Sequence, residues 1–250
     1  MELFLEGNRP VGVVLLHAYT GSVADVNLLA RELHKQGYSV LCPLFEGHGT
    51  GDIHALLAQG PDVWWQQTQA AVAQLKARCQ HVFVFGLSMG GMFATRALLD
   101  LDVTAGGCFN SPIVTKAPVN LERPFMAYAQ FLYAKKGLHT QFDLDKEHIL
   151  AKHREQLGAI QAFVGAYRKR LEDLQQPYYI AQSAQDELID ADDAYDLQNA
   201  LENADFIDFN WFIDNTHVIT VNSNRKAFEE SVQQFIEKVL QRKEEAHEFI

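Results

Sequence analysis

Residues 82–91 read Val82-Phe83-Val84-Phe85-Gly86-Leu87-Ser88-Met89-Gly90-Gly91, and these ten residues carry the clearest signal for the fold. An apolar run is followed by the pattern G-x-S-x-G at Gly86, Ser88 and Gly90, and a helical pattern begins directly after the serine. In so tight a turn, the residues two before and two after the serine must approach one another, which only small side chains permit. The sequence therefore predicts a serine in strained backbone geometry, with its hydroxyl thrust outward at the end of a strand.

Similar apolar runs recur along the chain, and each predicts a buried strand of a mostly parallel sheet. The predicted strands are Val11–Leu16, Tyr38–Cys42, Val82–Gly86, Ala105–Asn110, Tyr178–Ser183 and Ile207–Phe212, with Leu3–Glu6 as a candidate edge strand. The predicted helices between them are Ala24–Gln36, Asp62–Cys79 (with Asp62 as a candidate N-cap), Met89–Leu99, Asp192–Leu201 and Asn224–Gln241. Strands that alternate with helices indicate an α/β fold with a doubly wound sheet.

The domain organisation follows from the chain length and from one break in this alternation. A chain of 250 residues suits a single α/β domain, which we expect to span 1–250. The interval of about 112–176 contains no strand pattern and predicts helices around Glu122–Lys136 and Asp145–Leu174. We expect this interval to be a small helical cap inserted over the edge of the sheet.

The composition narrows the partners and the location. The formal net charge of −11 disfavours nucleic acid and anionic membrane surfaces, since both repel an acidic protein. The apolar run at the N-terminus is too short for a signal peptide and no window reaches the length of a membrane span, so we expect no membrane insertion. Cys42, Cys79 and Cys108 are widely spaced, which favours buried free thiols and a cytoplasmic location. The sequence leaves the oligomeric state open.

A serine hydroxyl needs a base to take its proton before it can attack an ester. In folds with this turn the chain order is serine, then aspartate or glutamate, then histidine. Two late histidines, His217 and His247, fit that order. His247 lies in the charged C-terminal segment, whereas His217 follows a predicted strand directly, where sites of open α/β sheets gather. We therefore expect His217 to be the base.

The acid that orients this base is predicted at Asp186. It follows the strand Tyr178–Ser183 by a short loop and so emerges at the same end of the sheet as Ser88 and His217. Several other acids lie nearby. The alternatives are Glu187, Asp190, Asp192, Asp193 and Asp214. Asp190, Asp192 and Asp193 also suit the start of a helix, and Asp214 is too close to the histidine in sequence to orient its ring.

An oxyanion hole is expected from two backbone N–H groups. One belongs to Met89, the residue after the serine, and the other to the loop His17-Ala18-Tyr19-Thr20-Gly21 after the strand Val11–Leu16. Because the backbone donates, the side chains of this loop are free to vary.

With these motifs the sequence resembles the small carboxylesterase and monoacylglycerol-lipase branch of the α/β-hydrolase superfamily, over nearly the whole chain. The motifs that carry the resemblance are His17–Gly21 (similar to H-G-F-x-G), Gly47-His48-Gly49, Gly86–Gly91, Gln185-Asp186 with Ile189, and Thr216-His217-Val218. Ala18 stands where the family has glycine. The resemblance implies an acyl-serine formed on Ser88, proton transfer by His217, orientation of its ring by Asp186, and oxyanion binding by the N–H groups of Tyr19 and Met89. It implies no metal and no organic cofactor.

The expected substrate is a small-molecule ester with a short to medium acyl chain. The residues of the cap that are predicted to line an acyl pocket are Phe125, Tyr128, Phe131 and Leu132. His17 and His48 are interpreted as structural, and the scattered histidines of the cap are not expected to bind metal. Two alternatives stay open: an acyltransferase or thioesterase with the same three residues, and a slow hydrolase-like protein that acts as a ligand-binding receptor.

Overall fold

Seven strands and eight α-helices are present in residues 1–114 and 121–248, the part of the chain that this computed structural model describes, without the side chains of 247 and 248. The strands are Leu3–Leu5 (β1), Val11–Leu16 (β2), Ser39–Cys42 (β3), His81–Leu87 (β4), Ala105–Phe109 (β5), Tyr178–Ser183 (β6) and Ile207–Phe212 (β7). The helices are Asn27–Lys35 (α1), Ile53–Leu57 (α2), Pro61–Lys76 (α3), Met89–Asp100 (α4), Glu122–Lys135 (α5), His139–Arg168 (α6), Asp193–Ala200 (α7) and Lys226–Glu248 (α8).

The strands form one sheet in the order β1-β3-β2-β4-β5-β6-β7. β1 is antiparallel to β3, and all other neighbours are parallel. The chain leaves β2 for β3 on one side and then returns to β4 on the other side of β2. The strand order therefore reverses between β2 and β4, and ligands of open α/β sheets bind beyond the carboxyl ends of strands at such a point.

Helices cover both faces of the sheet. Successive side chains of a strand point to opposite faces, so the continuous apolar strands present an apolar surface on each side. On β2, Val13 and Leu15 are buried in one cluster with residues of α1 and α8. Val14 and Leu16 are buried in the other cluster, with residues of α3, α4 and α6. The predicted fold class, a doubly wound and mostly parallel α/β sheet, is confirmed.

Several helix boundaries differ from the predictions. α3 begins at Pro61 with Gly60 as its N-cap, so Asp62 lies inside the first turn and is not the cap. Proline suits this first position because its missing N–H would have no partner there. α6 begins at His139, six residues before the predicted Asp145, and α8 continues through the charged segment to Glu248.

The helices α5 and α6 lie in the interval where a helical insertion is predicted, between β5 and β6. Residues 115–120 of that interval fall outside the described residues. α6 packs on α4, where the rings of Phe163 and Phe93 are 4.8 Å apart and the hydroxyl of Tyr167 donates to the carbonyl of Met92 at 2.9 Å. Within the described residues, no helix is both long and apolar enough to cross a membrane.

Candidate active site

Ser88 occupies the turn between β4 and α4 with φ of 53°, in the left-handed region that side chains rarely adopt. A Cβ on Gly86 would lie 2.1 Å from the carbonyl carbon of Gly90, and one on Gly90 would lie 2.3 Å from the carbonyl oxygen of Leu16. Both positions therefore require glycine. The backbone N–H of Ser88 donates to the carbonyl of Phe109 at 2.8 Å, and its hydroxyl makes no capping bond to α4.

His217 and Asp186 lie side by side in the loops that follow β7 and β6. The Nδ1 atom of His217 is 2.8 Å from each carboxylate oxygen of Asp186, and the two side chains are 4% and 0% exposed. An ionised carboxylate only accepts hydrogen bonds, so Nδ1 carries the proton and Nε2 is left as the basic nitrogen. The Asp186 carboxylate also accepts the backbone N–H groups of Leu188 and Ile189 at 3.0 and 3.1 Å. These bonds fix its orientation.

The other acids near the site have different partners. Glu187 accepts the backbone N–H of His217 at 3.0 Å, and Asp190 accepts that of Asp192 at 3.1 Å. Asp192 stands at the N-cap of α7 without a side-chain capping bond, and Asp214 is exposed. The side chain of His247 falls outside the described residues. Among the described residues, Asp186 is the carboxylate that hydrogen-bonds to the His217 ring.

The loop after β2 carries Tyr19, whose backbone N–H is one of the two predicted oxyanion donors. The loop is a tight turn in which the N–H of Gly21 donates to the carbonyl of Ala18 at 3.1 Å and Thr20 has φ of 60°. Ala18 itself is not in the left-handed region, so its replacement of the family's glycine creates no backbone strain. Asp25 holds the turn by accepting the N–H groups of Ala18 and Ser22, both at 3.3 Å.

The side chain of Tyr19 joins this loop to the inserted helices. Its hydroxyl donates to Oε1 of Gln156 at 2.6 Å and lies 3.0 Å from Nδ1 of His153. Gln156 is oriented by its own amide, which donates to the carbonyls of Leu56 and Gln59 at 2.8 Å each. Because the tyrosine proton goes to Gln156, the Nδ1 atom of His153 must donate to the tyrosine oxygen. The sequence offered no signal for these contacts.

Three buried histidines surround the loop and are held neutral by burial. Burial lowers the pKa of His17 to about 3, and the pKa values of His48 and His153 to about 4 each. His17 accepts the backbone N–H of Phe45 at Nε2 (3.1 Å) and donates from Nδ1 to the carbonyl of Ala18 (2.9 Å). Such a histidine ties two loops together and is not free to act as a base, in agreement with its structural interpretation.

These histidines predict a loss of stability in mild acid. The unfolded chain binds protons on all three near pH 6.5, whereas the native protein resists protonation until about pH 4. Their contribution to stability is therefore complete above pH 6.5 and is lost as the pH falls toward 4. Asp25 acts in the opposite sense. Burial raises its pKa to about 6, so below pH 6 the native protein binds a proton on Asp25 that the unfolded chain does not bind. This proton offsets roughly one of the three that the unfolded chain takes up on its histidines. We expect the free energy of unfolding to fall by about 2–3 kcal/mol between pH 6 and pH 5.

Urea unfolding at the two pH values measures this loss. The variant His153→Gln removes one titrating group. Its free energy of unfolding should therefore fall by about 1.4 kcal/mol less than that of the wild-type protein between the two pH values. Equal stability of the wild-type protein at pH 6 and pH 5 would contradict the prediction.

Two lobes of one cleft meet at Ser88 and His217, and both are also lined by Tyr19. The first, which we call the apolar lobe, spans about 510 Å³ of empty space, part of it open to solvent. It is lined further by Met92, Pro112, Leu157, Ile160, Gln161 and Ile189. The second, which we call the loop lobe, spans about 720 Å³ of empty space, part of it open to solvent. It is lined further by Ala18, Thr20, Gly21, Asp25, Pro124 and Phe125.

The predicted pocket residues of α5 need correction. Phe125 does line the loop lobe, but Tyr128, Phe131 and Leu132 line neither lobe. Phe131 is 54% exposed and Leu132 is buried in the core. Phe131 lies six residues after Phe125, which turns it about 120° away from Phe125 around the helix. The inserted helices line the apolar lobe from α6 instead, through Leu157 and Ile160.

Comparison with known protein families agrees with this arrangement. The family Hydrolase_4, described as serine aminopeptidase, S33, matches residues 9–163. The chain belongs to this family. The matched region contains the loop after β2, the Ser88 turn and most of the inserted helices.

Named relatives and solved structures add to this finding. The chain is 26% identical over 229 residues to a carboxylesterase of Bacillus subtilis (strain 168), covering 91% of this chain and 92% of the relative. It is 41% identical over 90 residues to a thermostable monoacylglycerol lipase of Bacillus sp. (strain H-257), which is 36% of each chain. The resemblance to the carboxylesterase and monoacylglycerol-lipase branch is thereby confirmed.

The likeness to solved structures concerns the fold. A structure from a study of the metagenome-derived lipolytic enzymes LipS and LipT has a TM-score of 0.75 and 19% identity, covering 95% of this chain and 97% of the other. A monoacylglycerol lipase of Paleococcus ferrophilus has a TM-score of 0.69 and 14% identity, covering 96% and 98%. The α/β-hydrolase fold of this chain is confirmed by these likenesses.

Proposed function

We propose that this protein is a serine carboxylesterase that hydrolyses short- to medium-chain esters through an acyl-serine intermediate on Ser88. His217 is the base and Asp186 orients it. The protein is a carboxylic ester hydrolase, the class to which its named relatives belong. The observation that carries the proposal is the buried pair of His217 and Asp186 in the same cleft as the strained Ser88.

Acylation follows from the protonation state of the pair. With the Nδ1 proton directed to Asp186, Nε2 of His217 accepts the proton of the Ser88 hydroxyl while the serine oxygen bonds to the ester carbonyl carbon. The negative charge that develops on the carbonyl oxygen is stabilised by the N–H groups of Tyr19 and Met89. The bond to the alcohol oxygen then breaks, and the alcohol leaves with the proton from Nε2.

Deacylation repeats these steps with water. Nε2 takes a proton from the water as its oxygen bonds to the acyl carbon, and the proton passes to the serine oxygen when the acyl–serine bond breaks. The products are the carboxylic acid and free Ser88. The positive charge on the ring in each transition state is stabilised by the ionised Asp186 beside it.

The linings of the two lobes favour binding of the acyl part of the ester in one lobe and of its alcohol part in the other. The apolar lobe presents aliphatic side chains such as Ile160 and Ile189, which suit an acyl chain. The loop lobe presents the backbone of residues 18–21 and the carboxylate of Asp25, which suit the more polar alcohol.

A chain-length series tests this function. We expect the wild-type protein to turn over p-nitrophenyl esters with an optimum between acetate and palmitate. The variant Ile160→Trp fills part of the apolar lobe, and we expect kcat/KM for the octanoate to fall by about 10-fold or more relative to the acetate. The control is Ala159→Trp, which adds the same side chain at an exposed position of α6.

An unchanged preference in Ile160→Trp, or the same shift in Ala159→Trp, would show that the acyl chain lies elsewhere. The series also separates the alternatives. Faster release of product with an added alcohol acceptor would indicate an acyltransferase, and a preference for the matched thioester would indicate a thioesterase. A single burst of product without turnover would indicate a receptor-like protein.

The location and partners remain part of the proposal. The three cysteines, Cys42, Cys79 and Cys108, are all free and buried, which supports a reducing cytoplasm. The net charge of −11 supports a small-molecule substrate and disfavours nucleic acid as a partner.

A further inference from the structure

Asn110 lies directly after β5 and is fully buried, although its side chain is polar. Its φ is 45°, in the left-handed region that asparagine tolerates better than most residues. Its amide oxygen accepts the backbone N–H of Ser183 at 2.7 Å. Its amide nitrogen donates to the hydroxyl of Ser183 at 2.9 Å and to the carbonyls of His217 and Thr216 at 2.6 and 3.3 Å. One side chain thus joins the end of β6 to the loop of the proposed base.

The backbone beside Asn110 holds the proposed nucleophile. The carbonyl of Phe109, the preceding residue, accepts the backbone N–H of Ser88 at 2.8 Å. The N–H of Asn110 itself donates to the carbonyl of Ala181 in β6 at 2.9 Å. Phe109 therefore binds the main chain of Ser88, and the next residue, Asn110, binds the main chain of His217. The hydrogen bond from Asn110 to Ala181 fixes this pair of residues to β6.

The peptide groups of His217 are held from the other side by Glu187. The carboxylate of Glu187 accepts the N–H of His217, while Asn110 donates to its carbonyl. The ring is held separately, through Nδ1, by Asp186. Since the histidine lies in a loop, its place relative to Ser88 depends on these side-chain bonds and not on a strand or helix of its own.

We propose that Asn110 is a positioning residue that sets the place of His217 relative to Ser88. This inference rests on the proposed function, in which His217 takes the proton of Ser88. Asn110 lines neither lobe of the cleft, so it does not touch the substrate. Loss of its bonds should therefore slow the chemical steps, which depend on the distance between the two residues, and leave substrate binding almost unchanged.

The test compares Asn110→Gly with a matched control. Glycine keeps the left-handed backbone but removes every side-chain bond. We expect kcat for a p-nitrophenyl ester to fall by about 10- to 100-fold, with KM changed by no more than about 2-fold. The low-field proton resonance of the His217 Nδ1–H should broaden, because the loop opens to solvent more often. The control Ser183→Ala removes a bond of Asn110 but keeps its bond to His217, and its kcat should stay near the wild-type value.

Asn110→Asp is the second variant, since it keeps the shape and the acceptor for Ser183 but replaces the N–H groups that face the carbonyls of Thr216 and His217 by one carboxyl oxygen. Wild-type kcat in both Asn110 variants, or an equal loss in Ser183→Ala, would overturn the proposal. If neither Asn110 variant folds, Asn110 is a residue of the core and its positioning role is also overturned. If Ser88→Ala keeps its activity, the proposed function fails instead, and the His217 resonance still decides whether Asn110 holds the loop.

Discussion

Replacing Ser88 by alanine should reduce kcat for ester hydrolysis by a factor on the order of 10⁴ or more, and leave the fold intact. The hydroxyl provides the atom that bonds to the acyl group, and no covalent intermediate can form without it. The residual rate should come from water attacking an ester that is still bound beside the oxyanion donors. The buried pair of His217 and Asp186 does not depend on the serine hydroxyl, so it should remain in place.

The measurement is kcat and KM for one p-nitrophenyl ester, together with the mass of the protein after reaction with a fluorophosphonate. The wild-type protein should gain one phosphonyl group on Ser88, and the variant should gain none. Ser88→Gly is the matched control for the strained backbone. It should be equally inactive but more stable than Ser88→Ala by about 1 kcal/mol, because glycine adopts a φ of 53° without strain. Turnover near the wild-type rate in both variants would eliminate Ser88 as the nucleophile.

The fold could be predicted because its signals are local. Each central strand is a short apolar run, and the chain order of strands and helices restricts the sheet to a doubly wound topology. The tight turn at Ser88 could be predicted from the sequence for the same reason. Gly86 is required by its contact with Gly90, four residues later, and Gly90 is required by its contact with the end of the neighbouring strand β2. Asp186 and His217 were predicted from where their loops leave the sheet.

The contacts that hold the site could not be predicted, because they join residues that are distant in the sequence. Asn110 lies 73 residues from Ser183 and 107 residues from His217. Tyr19 lies 134 and 137 residues from His153 and Gln156. No periodicity or motif relates such positions, and an asparagine after a strand reads as an ordinary turn residue.

For the inserted helices, the sequence predicts the secondary structure but not which side of each helix faces the cleft. Apolar and aromatic residues on α5 predicted a helix correctly, but not which of its faces would meet the cleft, and Phe131 lies on the exposed face. The early start of α6 does have a sequence signal, which is Gly137. Gly137 has φ of 71° and ends α5, and the next helix begins two residues later at His139.

Asp186→Asn should reduce kcat by about 10³- to 10⁴-fold, whereas Asp190→Asn should change it by less than about 3-fold. In the wild-type protein the oxygen Oδ1 of Asp186 accepts the N–H groups of Leu188 and Ile189, so the amide oxygen of the variant should take that place. The amide nitrogen then takes the place of Oδ2, 2.8 Å from Nδ1 of His217, where its N–H groups oppose the Nδ1 proton and leave the oxygen at the Oδ1 place as its one acceptor. We expect the ring to favour the form with its proton on Nε2, where it cannot accept the proton of Ser88.

The matched control is informative because Asp190 is exposed and holds only the N–H of Asp192. Both variants remove one negative charge from the same loop, so a general electrostatic effect would lower both rates alike. Loss of the low-field His217 resonance in Asp186→Asn alone would tie the rate to the position of the ring proton. If Asp190→Asn proved the more damaging change, the role of orienting acid would pass to Asp190. The bonds that the Asp186 carboxylate makes to His217 would then serve the stability of the loop and not the chemistry.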